Sequence, residues 1–232
     1  MFQAVFQPDA TVFNNDKKRY QTTLNDLIQK IEENKNRIID SLHFSHTEIA
    51  IIQQSLELQY NAVDYSWEDR MDENYFPSAM KIRDLQMAQN IDWILGNLYP
   101  NKKIIIWGHN AHVQSGPFNA SLPKYMGEHL KEKYGEAYFS IGLFAYEGEI
   151  YQHWDQSSRS FKNSDTGNIE QLMSEGALDY SYANFSNGSS ISWMNTAVQA
   201  FEPENNGVVS FVPSIRFDAA ICIRQGNIPT FE

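Results

Sequence analysis

The stretch KIIIWGHNAH, residues 103–112, is the part of the sequence that decides the expected fold. Its Ile104–Trp107 segment is a continuous run of β-branched and aromatic side chains, which is typical of a strand buried on both faces of a parallel sheet. His109, Asn110 and His112 follow at the end of that run. In open α/β sheets, ligands bind outside the carboxyl ends of the strands, and imidazole readily moves protons near neutral pH. The two histidines are therefore candidate catalytic residues, and the alternative is a loop whose histidines only bond to their neighbours.

The segment that follows these histidines completes a strand–helix–strand unit. A helix is predicted around Tyr125–Tyr134, and a second buried strand is predicted at Tyr138–Phe144. Two strands joined through a helix over about forty residues almost always lie parallel, with a right-handed crossover. We expect Ile104–Trp107 and Phe139–Leu143 to be neighbouring parallel strands in the middle of the sheet.

The segments on either side extend this pattern into a single α/β domain over residues 1–232, with a helical N-terminal portion. Apolar residues recur at helical spacings over Leu24–Leu42, more weakly over Thr47–Glu68, and again over Pro77–Asn97. In the C-terminal third, the sequence predicts a polar loop at Ser157–Ser160 and a short helix at Ile169–Met173. It also predicts three strands, at Leu178–Tyr182, Val208–Val212 and Phe217–Ile223.

The composition excludes several classes of protein. Lys and Arg number 18 and Asp and Glu number 29, so the formal net charge is −11, which argues against a nucleic-acid partner. Cys222 is the only cysteine, so the chain has no disulfide framework. No apolar run approaches the ~20 residues of a membrane span. The first residues, Met1–Phe6, lack the pattern of a signal peptide, so we expect a cytoplasmic location and no membrane partner.

No metal or cofactor site is predicted. His43 and His46 repeat the spacing of His109 and His112, but they lie between helical segments, and zinc at either pair would need a third ligand. The sequence has no nucleophile elbow, Walker loop, dinucleotide-binding glycine motif or His-Glu-x-x-His.

Two acidic residues and an Arg-Asp pair are further candidates. Glu147 and Glu149 follow the second predicted strand, where a carboxylate beside an imidazole would orient it. Arg83 lies early in the third predicted helix, followed by Asp84, and arginine suits clamping a carboxylate or a developing oxyanion. The alternatives are a solvated turn for the two glutamates and an exposed ion pair for Arg83.

With these residues identified, the chain resembles the erythromycin esterase family, which includes proteins labelled succinoglycan biosynthesis protein-like. Arg83–Asn90, read RDLQMAQN, is similar to the family's Arg-Asp-x-x-Met-Ala-x-Asn helix. Ile105–His112 is similar to its strand ending in Trp-Ala-His-Asn-x-His, with Gly108 in place of the usual alanine. Phe217–Ile223 is similar to its closing strand.

The resemblance implies a three-layer α/β fold, with the mainly parallel sheet expected above, and hydrolysis of esters by an activated water without a metal. Macrolide lactones are opened in this way by the family's antibiotic-resistance members. His109 and His112 match active-site histidines, and Arg83 and Asp84 occupy the Arg-Asp position. We expect these histidines and Arg83 to line one cleft at the carboxyl edge of the sheet, supported by Asp84 and Asn110, with Glu147 or Glu149 nearby.

The resemblance also implies a Gly-Glu-x-x-His-Gly element that is central to water activation, and this chain has none. The chain therefore resembles the C-terminal part of a family member and lacks the N-terminal segment. We expect impaired hydrolysis of a small-molecule ester or lactone, and an exposed apolar sheet edge that favours self-association. The alternative is a non-catalytic binding or structural remnant of the same fold.

Overall fold

The computed structural model describes residues 10–71, 75–117, 122–152, 156–185, 191–202 and 207–226. The chain forms two compact units, Met1–Ile104 and Ile105–Glu232. The expectation of a single domain over residues 1–232 stays a prediction.

The N-terminal unit is helical, as the apolar spacing predicts. Its helices are α1 (Ala10–Glu33), α2 (Lys35–Leu42), α3 (His46–Met71) and α4 (Tyr75–Asn97), and α3 packs against both α1 and α4. The first predicted helix is divided at Asn34.

Local side-chain bonds fix where α3 begins. The Ser45 hydroxyl accepts from the Glu48 backbone N–H at 3.1 Å, and the Glu48 carboxylate accepts from the Ser45 N–H at 2.8 Å. This reciprocal capping box satisfies two backbone donors that the first turn leaves without partners. His43, with φ of 59°, ends α2 in the left-handed conformation.

The C-terminal unit combines a four-stranded sheet, a two-stranded hairpin and short helices. The sheet has the order β2-β1-β6-β3, and β4 and β5 form the hairpin. The strands are β1 (Ile141–Gln152), β2 (Ser157–Lys162), β3 (Tyr180–Asn184), β4 (Val198–Glu202), β5 (Gly207–Phe211) and β6 (Ala219–Gly226). The helices are α5 (Asn110–Val113), α6 (Met126–Tyr134), α7 (Ile169–Ser174) and α8 (Pro213–Arg216), with 3-10 turns at Gly135–Ala137 and Ser192–Asn195.

The α/β class with a helical N-terminal portion is confirmed, and the described sheet is more mixed than the mainly parallel one expected. β1 and β6 run parallel, with Leu143 opposite Ile221. β2 pairs antiparallel with β1, and β3 pairs antiparallel with β6. The Ser157–Ser160 segment, predicted as a polar loop, belongs to β2, because an edge strand tolerates polar side chains on its solvated faces.

The strand predicted at Ile104–Trp107 is wrong. Residues 102–109 have no regular secondary structure, and Ile105 and Trp107 are 94% and 83% exposed. β2 pairs with β1 only from Glu147 onwards, so on that side of β1 the backbone of Leu143 bonds to a side chain instead of a neighbouring strand. The Asn110 amide donates to the Leu143 carbonyl at 2.7 Å and accepts from the Leu143 N–H at 2.8 Å.

The core of the C-terminal unit lies between one face of the sheet, α7 and the β4–β5 hairpin. Its buried members come from all of these elements and are Phe144, Ile169, Met173, Ala183, Phe185, Met194, Val198, Ala200, Phe211, Phe217, Ala220 and Cys222. The Phe144 ring stacks on Phe211 with centroids 6.1 Å apart and meets Phe217 edge-on at 6.0 Å. Burial raises the pKa of the Cys222 thiol to about 11, as expected of a small core residue.

A polar cluster joins the start of β1 to the start of β6. The Asp218 carboxylate accepts from the Ser140 backbone N–H at 2.8 Å and lies 3.3 Å from the Lys131 ammonium. The Ser115 N–H donates to the Arg216 carbonyl at 2.7 Å, which ties the segment after α5 to α8. Gly116 allows this close approach, because a Cβ there would lie 2.0 Å from the Ile215 carbonyl oxygen.

Candidate functional site

His109 is held at the entrance to α5. It is the N-cap of that helix, and its Nδ1 accepts from the Ala111 backbone N–H at 3.3 Å. An imidazole whose Nδ1 accepts a hydrogen bond carries its proton on Nε2 when it is neutral. The ring therefore presents an N–H donor from its other nitrogen, and the side chain is exposed.

His112 lies one turn further, and its ring meets Tyr125 edge-on with centroids 5.9 Å apart. It is half-buried. The Tyr125 backbone N–H in turn donates to Glu128 at 3.0 Å, so this part of α6 is fixed by local bonds.

Asn110 fixes the loop to the sheet through its two bonds to Leu143. Leu143 is the third residue of β1, a strand that continues to Gln152 as one arm of the β1–β2 hairpin. The loop thus meets β1 near the amino-terminal end of that strand. The sequence instead predicts a position at the carboxyl edge of the sheet. Asn110 orients the backbone of the histidine segment.

A cavity of about 360 Å³ lies inside the C-terminal unit, beside this loop. The segment of residues 108–114, with His109 and Asn110, forms part of its lining, and β1, α7, the β4–β5 hairpin, α8 and β6 contribute most of the rest. Its walls are largely apolar and include Phe144, Phe201, Phe211 and Phe217. Ligand sites typically have this character, with an apolar lining and a few placed polar groups.

Glu170 is one of those polar groups, and it is 1% exposed. One carboxylate oxygen, Oε1, accepts from the Phe201 N–H at 3.1 Å. The other, Oε2, has no hydrogen-bond partner within the part of the chain that the structure describes. Burial raises the pKa of this carboxyl from 4.5 to about 7, and interactions with the backbone N–H groups of Glu170 itself and of Phe201 oppose that shift.

Gln114 and Arg216 are the other buried polar side chains of the cavity wall. Gln114 is 1% exposed, and neither atom of its side-chain amide has a partner among the described residues. The Arg216 guanidinium lies over the Phe211 ring, 4.9 Å from its centroid. Because buried polar groups are nearly always paired, the Glu170 oxygen and the Gln114 amide are exceptions that need an explanation.

The remaining predicted site residues lie elsewhere. In the N-terminal unit, Arg83 on α4 is exposed, whereas Asp84 is buried. The grouping of Arg83 with the two histidines in one cleft stays a prediction. His43 and His46 are both exposed, as expected of surface residues.

Glu147 and Glu149 lie within β1 and do not follow a strand, contrary to the prediction. Glu147 is four residues beyond Leu143, or about 13 Å along the strand. It pairs with Lys162 at 2.7 Å, directly across the β1–β2 hairpin, and the pair raises the pKa of Lys162. Glu149 is exposed, so the described geometry gives both carboxylates a surface role in the hairpin.

Sequence reasoning missed Glu170, Gln114 and Arg216. A signal for Glu170 was present, because it precedes Met173 by three residues and so shares a helix face with a core side chain. Within the described residues, no group of three His, Cys, Asp or Glu side chains is arranged to hold a metal ion. None of the helices in that part of the chain is long and apolar enough to cross a membrane.

The fold is similar to that of two solved structures. A Bacillus cereus protein aligns with a TM-score of 0.71 and 22% identity, over 92% of this chain and 53% of its own. A succinoglycan biosynthesis protein aligns with a TM-score of 0.66 and 14% identity, over 92% of this chain and 51% of its own. These likenesses establish a shared α/β fold.

The family follows from sequence. The model of the family described as erythromycin esterase matches residues 3–226, so this chain belongs to the erythromycin esterase family, as its motifs predicted. The putative hydrolase YbfO of Bacillus subtilis is 25% identical over 79% of this chain and 45% of its own length. Erythromycin esterase type II of Escherichia coli is 30% identical over 47% of this chain and 29% of its own length. The chain thus spans about half the length, or less, of the relatives it matches.

Proposed function

We propose that this chain carries part of the active site of a hydrolase that cleaves an ester or lactone in a small molecule. The observation that supports this best is the family match over residues 3–226, which includes the His-Asn-x-His element beside the apolar cavity. The relatives named hydrolase and erythromycin esterase agree with this class of reaction.

The geometry suggests how the roles divide. Attack of water on an ester needs a base, stabilisation of the oxyanion and an acid for the leaving alkoxide. His109 suits the role of hydrogen-bond donor to the leaving oxygen, because its Nδ1 accepts from the Ala111 N–H and its Nε2 carries the proton. The proton that the leaving alkoxide takes up then comes from the imidazolium that forms when the base removes a proton from water. Within the C-terminal unit, we assign the role of a substitute base to His112.

We further propose that the chain alone turns over slowly. The family resemblance assigns water activation to a Gly-Glu-x-x-His-Gly element, and the 232 residues contain none. Loss of a general base typically costs about 10²–10⁴-fold in rate. The second candidate function, a non-catalytic binding domain, is favoured by the same observation together with the cavity and its unpaired polar groups.

The test measures hydrolysis of 4-nitrophenyl butyrate by the purified chain and by His109→Ala and His112→Ala. His46→Ala is the matched control, because that histidine is exposed at the first position of α3. We expect slow turnover that both site substitutions lower and the control leaves unchanged. Fast turnover abolished by either substitution would refute the proposed impairment. Turnover that no histidine substitution alters would refute the hydrolase site and favour the binding domain.

A further inference from the structure

We propose that Glu170 is a ligand-binding residue whose Oε2 donates a hydrogen bond to the carbonyl oxygen of an uncharged, largely apolar molecule held in the cavity. The proposal rests on the proposed function only in identifying that carbonyl with an ester. That the cavity binds a carbonyl compound is argued from its lining and from the Glu170 carboxyl alone.

The bond from Phe201 decides which oxygen can carry a proton. The Phe201 N–H donates to Oε1, so Oε1 is a hydrogen-bond acceptor. Oε1 therefore acts as the carbonyl oxygen of the neutral carboxyl. When the carboxyl is neutral, its proton is on Oε2. That oxygen is buried and has no partner among the described residues, so an O–H there would be available to a molecule in the cavity.

Burial favours the neutral carboxyl, which is the form that can donate. The pKa of Glu170 is about 7, so a large fraction of the molecules holds the proton near neutral pH. A carboxylic acid kept neutral by an apolar site can serve as a hydrogen-bond donor to a carbonyl or developing oxyanion. An isolated carboxylate in the same place would instead repel a carbonyl oxygen.

The surroundings of Glu170 contain few other groups that change charge. α7 packs against β1, β3, β4 and β6. β6 supplies Cys222, whose pKa burial raises to about 11, and β1 supplies the half-buried Tyr146. β3 and β4 supply the alanines of the core, Ala183 and Ala200.

At the cavity wall, α8 supplies Arg216 and the α5 segment supplies His109. Arginine stays charged throughout the range of interest, whereas an imidazole changes charge near neutral pH. His109 must therefore be separated from Glu170 in any measurement that varies pH.

The cavity also favours a neutral ligand with an apolar body. Four phenylalanines line it, and about 360 Å³ lies at the lower end of the range for small-molecule sites. Gln114 adds a buried amide without a partner among the described residues, which offers a second polar contact. The Gln114 amide is thus a second observation, separate from Glu170, which indicates that a ligand completes the site.

Three fluorinated probes of nearly the same shape test the proposal by ¹⁹F NMR without any turnover. They are 4-fluoroacetophenone, its hydrocarbon analogue 4-fluoro-α-methylstyrene, and the anion 4-fluorobenzoate. At pH 5.5 we expect the ketone to bind roughly fivefold more tightly than the hydrocarbon, which is the ratio that one neutral hydrogen bond gives. At pH 8.5 that advantage should disappear, because the ionised carboxylate has no proton to donate.

Variants separate Glu170 from its neighbours. Glu170→Leu should abolish the ketone's advantage at both pH values. Glu170→Gln keeps an acceptor for Phe201 and an N–H donor towards the cavity, so it should retain the advantage and lose its pH dependence. His109→Gln should keep the pH dependence of the wild type.

Four results would overturn the proposal. They are an equal affinity for ketone and hydrocarbon at pH 5.5, an advantage that survives in Glu170→Leu, a pH dependence removed by His109→Gln but not by Glu170→Gln, and tighter binding of the benzoate than of the ketone. None of the probes is an ester, so a failure here is distinct from a failure of the hydrolase proposal.

Discussion

The helices of residues 10–97 and the mixed sheet of residues 141–226 bury their side chains to different extents. Among the described residues of the N-terminal unit, the buried side chains are scattered along α1, α3 and α4, and they are Leu24, Ile49, Ala79, Asp84 and Ala88. In the C-terminal unit, twelve buried residues form one continuous core. Long helices satisfy their backbone bonds locally, whereas the sheet depends on packing between segments far apart in the sequence. We therefore expect substitutions to cost most in the C-terminal unit.

The largest effect should come from Phe144→Ala. This side chain packs against Phe211 and Phe217, so its removal should lower the free energy of unfolding of the C-terminal unit by about 3–5 kcal/mol. Leu27→Ala on α1 is the control, because Leu27 is 44% exposed and should cost less than about 1 kcal/mol. Hydrogen exchange read by mass spectrometry in increasing urea reports each unit separately. Equal losses for the two variants would contradict the contrast between the units.

The next effect concerns the dependence of stability on pH. The pKa of Glu170 is raised when the chain is folded, so between about pH 4.5 and 7 the folded state holds a proton that the unfolded state has released. Rising pH therefore favours unfolding, and a shift from 4.5 to about 7 corresponds to about 3 kcal/mol. Glu170→Gln removes this titration. Relative to wild type, the variant should gain about 3 kcal/mol of unfolding free energy between pH 4 and pH 8, measured by urea denaturation. A constant difference across that range would show that Glu170 titrates normally.

A smaller effect should follow Asn110→Ala at the edge of β1. The substitution leaves the Leu143 N–H and carbonyl without their partner and should destabilise the C-terminal unit by about 1–3 kcal/mol. Asn97→Ala is the matched control, because that exposed amide only donates to the Trp93 carbonyl one turn earlier in α4. Exchange of the Leu143 amide proton should also become faster in Asn110→Ala. Unchanged protection at Leu143 would mean that the edge is covered in another way.

The smallest effect should come from Ser45→Ala at the start of α3. Loss of a helix N-cap costs about 1 kcal/mol, which thermal unfolding of the N-terminal unit can resolve. The bonds from the Ser45 backbone and hydroxyl lower the pKa of Glu48, so the cap should weaken as the pH falls through that pKa. Glu48→Gln in the Ser45→Ala background should add little, because the box is reciprocal. If the losses of unfolding free energy from the two substitutions added strictly, the two residues would not act as a reciprocal capping box.

Periodicity predicted most elements whose pattern is local. α4, α6, α7, β5 and β6 lie close to their predicted positions, because each carries its own apolar repeat or breaker residues. Ile104–Trp107 failed for a different reason. An apolar run shows that a strand would be stable in a sheet, but not that a neighbouring edge is available to it.

The candidate site residues show the same contrast between local patterns and contacts far apart in the sequence. The histidines were predicted as site residues because a local motif of four residues, His-Asn-x-His, carries them. Glu170 was missed because a polar residue in a short helix looks solvated until the β4–β5 hairpin is placed over it. Asn110 was predicted as a supporting residue, but its bonds to Leu143 join positions 33 residues apart and leave no local signature.

Cys222 is a natural reporter of local opening in the core of the C-terminal unit. It is the only thiol among the 232 residues and is 1% exposed, on the strand that pairs with both β1 and β3. Aromatic disulfide reagents react with exposed thiolates, so the wild-type chain should be modified only when this strand is uncovered. When reclosing is fast, the modification rate reports the equilibrium between closed and open core, and when the reagent is fast it reports the opening rate. A titration with reagent would follow both regimes at one defined position, with no label introduced.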